Sequence, residues 1–377
     1  MYCDHKLHKD YDTLDLTHTW APSLHFDDKK ECALIWASGQ NLDSLCPENL
    51  REQWQILNER ARAFIKSFQS AKIKLENICF YDAVPKRFLL EYYDLKNKIT
   101  QSVFDGYEKP GNYDFMYDLF FLTKKIQARD LNLNYKNLNL SYEKIRKNIG
   151  KIKNSCSSIS YDPWKTSTGR LTTTKNSFPI LTLNKELRSV VQPHNDVFVE
   201  LDFNAAELRV LFALLEQNQP DGDIHSWINK NIFDDKYDRD TAKKKVFSWL
   251  YNPKAKNKKL NNFLNREKIY EKYYKNGAVK TPYGRNIAAP EEKAVNFLIQ
   301  STTSDMFLTS AIEIDKMLEN KKSFLSFCIH DSLVIDFAKE DKSMLQQLIK
   351  CFSNTRFGHF KTNLSFGRDF GRMRKII

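Results

Sequence analysis

The stretch VFVELDFNAAELRVLFALL, residues 197–215, combines a strand pattern with a helix pattern. Val197–Phe203 is rich in β-branched and aromatic residues and lacks Gly and Pro, which predicts a buried strand. From Asn204 onward apolar residues recur at helical spacing and predict an amphipathic helix. Asp202 would then lie at the carboxyl end of a central strand. A buried carboxylate there is costly unless a cation or hydrogen bonds compensate it, and a helix-capping Asp is the alternative interpretation.

A second acidic residue lies far downstream, in FLSFCIHDSLVIDF, residues 324–337. Two short hydrophobic runs flank His330, Asp331 and Ser332, which predicts a β-hairpin with an acid at its tip. An ordinary turn Asp is the alternative. Two strand-associated aspartates, together with substrate phosphates and water, offer the oxygen ligands that Mg²⁺ prefers. A pair of such ions can activate an attacking hydroxyl and hold the leaving oxygen in phosphoryl transfer.

The composition favours a folded protein with a polyanionic partner. The chain has 377 residues, of which 41% are hydrophobic and 13% aromatic, and its formal net charge is +12. Nucleic acid fits this charge, although a solvated lysine-rich surface would give the same balance. The seven cysteines include no CxxC pair, so we expect reduced thiols and a cytoplasmic protein, in the host cytoplasm if it is viral. No apolar run approaches the ~18 residues of a transmembrane helix, so we expect no membrane partner.

The N-terminal part has helical patterning and little recognisable chemistry. Helical periodicity runs through residues 47–71, 85–104 and 113–126, and a breaker lies at 106–112. Residues 132–153 are rich in Asn and Lys and are compatible with a helix that has a basic face. We therefore expect an all-helical lobe up to about residue 154.

Three segments carry polar residues suited to nucleic acid. In TGRLTTT, residues 168–174, a glycine flanked by hydroxyls and by Arg170 suits a loop that approaches phosphates and base edges. TPYGR, residues 281–285, has the composition of a turn. A long helix is predicted over residues 291–318, in which amides are costly unless they bind base edges or sugars. Its polar residues, which we expect to lie near one another, are Asn296, Gln300 and Asp305.

A helix predicted over residues 239–251 carries a pattern suited to a nucleoside triphosphate. Two cations and then two aromatic rings recur every fourth residue and share one broad face. The charges would meet the phosphates and the rings would pack on sugar and base, whereas an ordinary amphipathic helix is the alternative. The four residues are Arg239, Lys243, Phe247 and Tyr251.

Taken in order and with their spacing, these motifs resemble the family A DNA polymerases, the class of DNA polymerase I and many phage replicases. The resemblance covers about residues 160–377, and the helical N-terminal part matches only loosely. The matching strings are TGRL, LDFNAAELR, RDTAKKKVFSWLY, TPYGR, NFLIQSTTSD and IHDSLVI.

The resemblance implies an α+β right-hand polymerase with an antiparallel-sheet palm, helical fingers and a reduced helical thumb. The palm would comprise residues 156–215 and 286–377, and the fingers residues 216–285. Residues 81–155 would form the thumb-like region, and residues 1–80 have no assigned role. Primer–template DNA and dNTPs would be the partners, and other replisome proteins are unknown. The implied reaction is DNA-directed DNA synthesis with Mg²⁺, for which Mn²⁺ would be a substitute.

The resemblance also implies roles for single residues. Asp202, Phe203 and Asp331 would hold two Mg²⁺ ions, and Lys243 would join the two aspartates as a catalytic residue. Glu207 would exclude a ribose 2′ hydroxyl as a steric gate. The nucleotide-binding residues would be Glu207, His225, Arg239, Lys243, Phe247 and Tyr251. The DNA-binding residues would be Thr168, Arg170, Arg188, Arg285, Asn296, Gln300 and His330.

Some positions depart from the family pattern and keep two other functions open. Ser332 stands where the second catalytic motif, usually HDE, has its glutamate. Single-subunit phage-type RNA polymerases have HDS there, so RNA synthesis is an alternative, although Glu207 and TGRL favour DNA synthesis. A non-catalytic clamp on primer–template DNA is the third hypothesis. No exonuclease signature is found, so we expect no proofreading.

Overall fold

The computed structural model describes residues 40–73, 83–136, 152, 156–252 and 254–376. The chain divides into two compact units, Met1–Pro110 and Gly111–Ile377. Residues 1–39 and most of the helix predicted over residues 132–153 lie outside the described residues. Of the seven cysteines, Cys46, Cys156, Cys328 and Cys351 are described, and these four are free thiols.

The described part of the first unit consists of helices α1 (Leu42–Leu45), α2 (Glu48–Ser70) and α3 (Lys86–Asp105). The helices predicted over 47–71 and 85–104 are therefore confirmed to within a residue or two. Stacking of Trp54 on Tyr92, with ring centroids 5.3 Å apart, joins α2 to α3. This contact belongs to a small core of its own.

The second unit mixes helices with antiparallel sheets, which confirms the α+β class. Its helices are α4 (Tyr113–Gln127), α5 (Ala206–Leu214), α6 (Ile224–Phe233), α7 (Arg239–Tyr251), α8 (Lys258–Phe263), α9 (Arg266–Tyr273), α10 (Ala294–Met317) and α11 (Leu345–Ser353). Its first strands are β1 (Asn132–Leu133), β2 (Tyr161–Asp162), β3 (Thr172–Thr173), β4 (Val191–Gln192) and β5 (Val197–Phe203). The hairpin strands β6 (Tyr274–Lys275), β7 (Ala278–Lys280) and β8 (Asn286–Ala288) follow. The last strands are β9 (Phe324–Ile329), β10 (Ser332–Phe337), β11 (Asn354–Thr355), β12 (Gly358–His359), β13 (Thr362–Gly367) and β14 (Arg374–Lys375).

The largest sheet has five antiparallel strands in the order β14-β13-β5-β10-β9. The central strand β5 is the predicted Val197–Phe203, and β9 and β10 form the predicted hairpin. Because side chains alternate along a strand, Val199, Leu201 and Phe203 share one face of β5 and are buried. Phe203 stacks on Phe352 of α11 with ring centroids 4.1 Å apart, so this face lies against the helical layer.

The turn after β5 is tighter than the sequence pattern predicts. The helix begins at Ala206 rather than at Asn204, because Ala205 adopts a left-handed conformation with φ of 52°. The buried Arg209 holds this turn, since its guanidinium donates to the carbonyls of Asn204, Pro220 and Gly222. The strand therefore ends abruptly, and Asp202 lies next to the helix that follows it.

Helix α4 packs into the core of the second unit through Leu119, Leu122 and Ile126. A salt bridge from Lys125 to Asp315 of α10, with an Nζ–Oδ2 distance of 2.9 Å, reinforces this packing. Among the described helices, none is both long enough and apolar enough to cross a membrane.

Candidate active site

The two aspartates predicted from distant parts of the sequence lie side by side. Ser332 of β10 is the register partner of Asp202, and Asp331 directly precedes Ser332 in the β9–β10 turn. The backbone N–H of Phe203 also points at the carbonyl oxygen of Asp331, at an N–O distance of 3.5 Å. His330, in a left-handed conformation with φ of 53°, completes the two-residue turn. The hairpin thus brings Asp331 to the carboxyl end of β5.

Burial raises the pKa values of both carboxylates of this site. Burial raises the pKa of Asp202 to about 7, against an opposing hydrogen bond from Asn363, and the charges of Asp331 and Glu200 raise it further. Burial also raises the pKa of Asp331, which the positive charges of His330, Arg170 and Lys243 partly lower. A cation between the aspartates would restore both charges, because it favours the ionised form.

The donor set suits a hard divalent cation. Asn363 of β13 donates its Nδ2 to Asp202 Oδ2 at 2.8 Å, while its own Oδ1 is buried without a hydrogen-bond partner. A buried oxygen without a hydrogen-bond partner, next to the Asp202 carboxylate, suits a contact with metal-bound water. Among the described residues no three His, Cys, Asp or Glu side chains form a metal-binding group. Asp202 and Asp331 offer two carboxylates, and water and substrate oxygens commonly complete the ligand set of a Mg²⁺ ion.

The same face of β5 carries a second acid that the sequence reasoning did not select. Glu200 lies two residues before Asp202, and its Oε1 accepts a hydrogen bond of 3.2 Å from the hydroxyl of the buried Ser332. Strand alternation puts Glu200 and Asp202 on one face, a signal that was readable in the motif VELDF. Asn363, the other missed residue, has no comparable sequence signal because it depends on the β5–β13 register.

Helix α7 presents the predicted nucleotide-binding residues on one side. Arg239 and Lys243 are exposed, Phe247 and Tyr251 are half-buried, and the opposite side packs into the core through Trp249. The Phe247 and Tyr251 rings stack with centroids 5.7 Å apart and an interplanar angle of 9°. The face runs from exposed cations to stacked rings, as the sequence pattern predicts.

Glu207 on α5 links this face of α7 to the loop of residues 168–170, called the TGR loop below. Its Oε1 accepts a hydrogen bond and salt bridge from Arg170, and its Oε2 accepts a hydrogen bond from the hydroxyl of Tyr251. Burial raises the pKa of Glu207, against the opposing charge of Arg170, and the charge of Asp331 raises it further. Both oxygens of the predicted gate residue are therefore engaged next to the aspartate pair.

Two predicted nucleotide-binding residues have partners that the sequence did not indicate. His225 is buried against Phe247, and burial lowers its pKa to about 4, so the imidazole is neutral at pH 7 and adds no positive charge. Arg239 makes a two-pronged salt bridge with Asp223, with Nη2–Oδ1 and Nε–Oδ2 distances of 2.8 and 3.0 Å. Asp223 also caps α6 by accepting from the Ser226 N–H. Contact of His225 and Arg239 with a triphosphate stays a prediction.

Two of the predicted DNA-binding residues make contacts within the protein. Arg285 forms a bidentate salt bridge with Asp305, a buried residue of α10, with Nη2–Oδ1 and Nε–Oδ2 distances of 2.6 and 3.1 Å. Arg188 stacks its guanidinium over Phe370 at 4.8 Å from the ring centroid. Thr168 is buried, and DNA contact by these residues stays a prediction.

The polar residues of α10 do not form one cluster. Asn296 and Asp305 are nine residues apart, and at about 100° per residue they point to opposite sides of the helix. The expectation that they lie near one another is therefore wrong. Asn296 and Gln300 are half-buried, and the Asn296 Oδ1 has no hydrogen-bond partner, whereas His330 is exposed at its turn.

Comparisons with known proteins give a fold likeness and no family. No family model matches the sequence, and no curated protein matches it. Among the solved structures, the chain is similar to the POL domain of Pol1 from M. smegmatis in complex with DNA primer-template and dNTP. The identity is 13% and the TM-score 0.48, over 88% of this chain and 66% of that chain, just under two thirds. Likeness at this level carries no conclusion about activity, since one fold hosts unrelated functions.

Proposed function

We propose that the chain is a template-directed DNA polymerase that extends a DNA primer with dNTPs. The observation that carries the proposal is the pairing of β5 with β10, which puts Asp202 beside Asp331. Lys243 of α7 is near enough for its charge to lower the pKa of Asp331. If Asp202 only capped a helix and Asp331 only formed a turn, the two would have no reason to lie side by side. Two adjacent aspartates near a helix with cationic and aromatic side chains suit the transfer of a nucleotidyl group.

Each part of the site has a task in this reaction. Bound Mg²⁺ would lower the pKa of the primer 3′ hydroxyl and neutralise charge on the triphosphate. Asp202 and Asp331 would hold the ions through their carboxylates, and Phe203 would contribute through its main chain. Lys243 and Arg239 would bind phosphate oxygens, and the stacked rings of α7 would pack on the nascent pair.

The remaining assignments extend this proposal over the chain. Glu207, fixed by Arg170 and Tyr251, would close the space beside the sugar against a 2′ hydroxyl. Residues 156–215 and 286–377 would form the palm, 216–285 the fingers and 81–155 a thumb-like region.

Primer extension tests the proposal directly. A labelled DNA primer on a longer DNA template is incubated with Mg²⁺ and either dNTPs or rNTPs. We expect extension with dNTPs and a loss of at least about a hundredfold in Asp331→Asn, because one of the two metal carboxylates is removed. The matched control is Asp234→Asn, an exposed residue in a left-handed conformation that Asn also adopts, and it should extend normally.

The same assay separates the alternatives. Extension with rNTPs alone would favour an RNA-synthesising relative, which Ser332 leaves open. Retained DNA binding without extension by the wild-type protein would favour the clamp. Equal activity of Asp331→Asn and the wild type would overturn the two-metal assignment.

A further inference from the structure

Ser332 is a short, uncharged and buried residue next to the aspartate pair. Ser332 is the register partner of Asp202, so the two side chains project from the same face of the sheet. A glutamate here would reach over that face beside the aspartate pair. The serine hydroxyl reaches less far and has no charge at neutral pH.

Glu200 occupies the neighbouring position on the adjacent strand. Same-face residues of a strand are about 7 Å apart, and diagonal cross-strand side chains are within reach of each other. The Glu200 Oε1 lies 3.2 Å from the Ser332 Oγ, while the same hydroxyl is also 3.2 Å from the Ile329 carbonyl. The single proton of the Ser332 hydroxyl is therefore shared between the Glu200 carboxylate and the Ile329 carbonyl, and Ser332 is a direct neighbour of Glu200.

Glu200 forms no salt bridge within the described residues. Its register neighbours are Val334 on β10 and Ser365 on β13, neither of which is charged. Arg188 is near enough to influence Glu200, but its guanidinium stacks on Phe370 instead of forking the carboxylate. A half-buried acid without a paired cation is costly, and a hydrated metal ion close to Asp202 would relieve that cost.

We propose that Glu200, which lies on the Asp202 face of β5 and contacts Ser332, is a positioning residue of the metal site. Its carboxylate would accept hydrogen bonds from water bound to the ion and would not bind the ion itself. The inference rests on the proposed function, because it assigns Glu200 to the site of Asp202 and Asp331.

Mn²⁺ binding tests this role without DNA, nucleotide or turnover. Bound Mn²⁺ is measured from the loss of the electron paramagnetic resonance signal of the free ion. We expect Glu200→Gln to weaken Mn²⁺ binding by about tenfold or more, because removal of an outer-shell partner typically costs 10–100-fold in affinity. Glu319→Gln, which removes the same charge from an exposed position after α10, should bind as the wild type does.

Moving the acidic side chain from β5 to β10 separates a specific role of Glu200 in metal binding from a structural role. In the double variant Glu200→Gln with Ser332→Glu, the acid moves to β10, and we expect Mn²⁺ affinity to recover most of the loss. Thermal unfolding of each variant checks that the fold is retained. Undiminished Mn²⁺ binding by Glu200→Gln, or failure of the double variant to regain affinity while folded, would overturn the inference.

The outcome is distinguishable from failure of the proposed function. If wild-type protein extends primers and binds Mn²⁺ while Glu200→Gln binds equally well, the polymerase stands and the role of Glu200 fails. If wild-type protein binds Mn²⁺ through Glu200 and extends no primer with either kind of nucleotide, the polymerase fails and the metal role stands. Wild-type protein that binds no Mn²⁺ would overturn the role of Glu200.

Discussion

Glu207 is the single residue through which the parts of the site meet. Arg170 of the TGR loop and Tyr251 of α7 both donate to its carboxylate, and the charge of Asp331 influences its pKa. A carboxylate with both oxygens engaged has a fixed orientation, which the proposed role as a steric gate would require. Release of either donor would let Glu207 turn away, so the orientation of Glu207 depends on two residues outside its own helix.

His225 gives a pH prediction that is independent of the metal. Its pKa is lowered to about 4 in the folded protein because burial disfavours the charged ring, whereas it is about 6.5 in the unfolded chain. A group with a depressed basic pKa makes the folded state bind fewer protons, so its contribution to stability falls as pH drops through 6.5 toward 4. Between pH 7.5 and pH 5 this costs about 2 kcal/mol.

Urea unfolding of the wild type and of His225→Phe at the two pH values isolates the contribution of His225 to the free energy of unfolding. The phenylalanine does not titrate, so the variant should lose about 2 kcal/mol less than the wild type between pH 7.5 and pH 5. Other groups titrate equally in both proteins and cancel in the comparison. Parallel losses in the two proteins would show that the ring is protonated at its ordinary pKa in the folded state.

At residue level the sequence predicts the motif positions better than their partners. Asp202 and Asp331 are readable because each ends or begins a hydrophobic run. Asn363, by contrast, reaches Asp202 through a strand register across 161 residues, and no local pattern carries that information. The burial of His225 is likewise a tertiary property.

At the scale of elements, the TGR loop is fixed to α10 and to the β7–β8 hairpin. Gly169 has φ of +73°, and a Cβ there would lie 2.6 Å from Arg285 Nη2. The Ser304 hydroxyl of α10 donates to the Gly169 carbonyl at 2.8 Å. Close approach of backbone to guanidinium thus requires glycine, and the loop position depends on the buried pair of Arg285 with Asp305.

We expect Gly169→Ala to lower the free energy of unfolding by more than the strain of an alanine in a left-handed conformation would. The methyl group would push Arg285 away from Asp305, and a buried carboxylate that loses its partner costs about 3–5 kcal/mol at most. Gly222→Ala is the matched control, because Gly222 has φ of +80° and nothing lies within 4 Å of the added carbon. The control should lose only the left-handed strain of about 1–2 kcal/mol.

Denaturant unfolding of the two variants gives the comparison. The difference between their losses measures the contact with Arg285, because the backbone strain is common to both. Equal losses would mean that the guanidinium can move aside without disturbing Asp305.

Element boundaries were predictable where periodicity and caps agree. The helix over 239–251 is confirmed as α7, and Asp238 caps it by accepting from the Thr241 N–H at 2.8 Å. The helix after β5 begins two residues later than predicted, because the left-handed Ala205 is invisible to hydrophobic periodicity. The hairpin predicted over residues 324–337 is confirmed as β9 and β10, because two hydrophobic runs on either side of a short polar turn are readable in the sequence.

At the scale of the whole molecule, the net charge of +12 predicts salt-sensitive binding to DNA. Binding of lysine and arginine to phosphates releases counterions, so the affinity falls as a power of the salt concentration. We expect affinity for primer–template DNA to fall by about tenfold or more between 50 and 200 mM salt, as measured by fluorescence anisotropy. A nearly flat response would mean that the positive charge lies on a surface away from DNA.

The antiparallel α+β architecture could be predicted, and the division of the chain could not. The motifs of β5, β9 and β10 indicate strands separated by helices, which limits the fold class. The boundary at Pro110 and Gly111 depends on which core α4 joins, and its apolar face fits either a helical lobe or a sheet. The palm, fingers and thumb-like region therefore remain part of the proposed function.

The order of strands in the main sheet has a consequence for how the protein is made. Strand β5 lies between β10 and β13, which follow it by more than a hundred residues, so both of its edges are bare while the ribosome synthesises the intervening helices. Pairings across such long loops form slowly, and unpaired strand edges favour aggregation. The nascent chain would therefore need its hydrophobic central strand sheltered, by early helix packing or by a chaperone, until residues near 363 emerge.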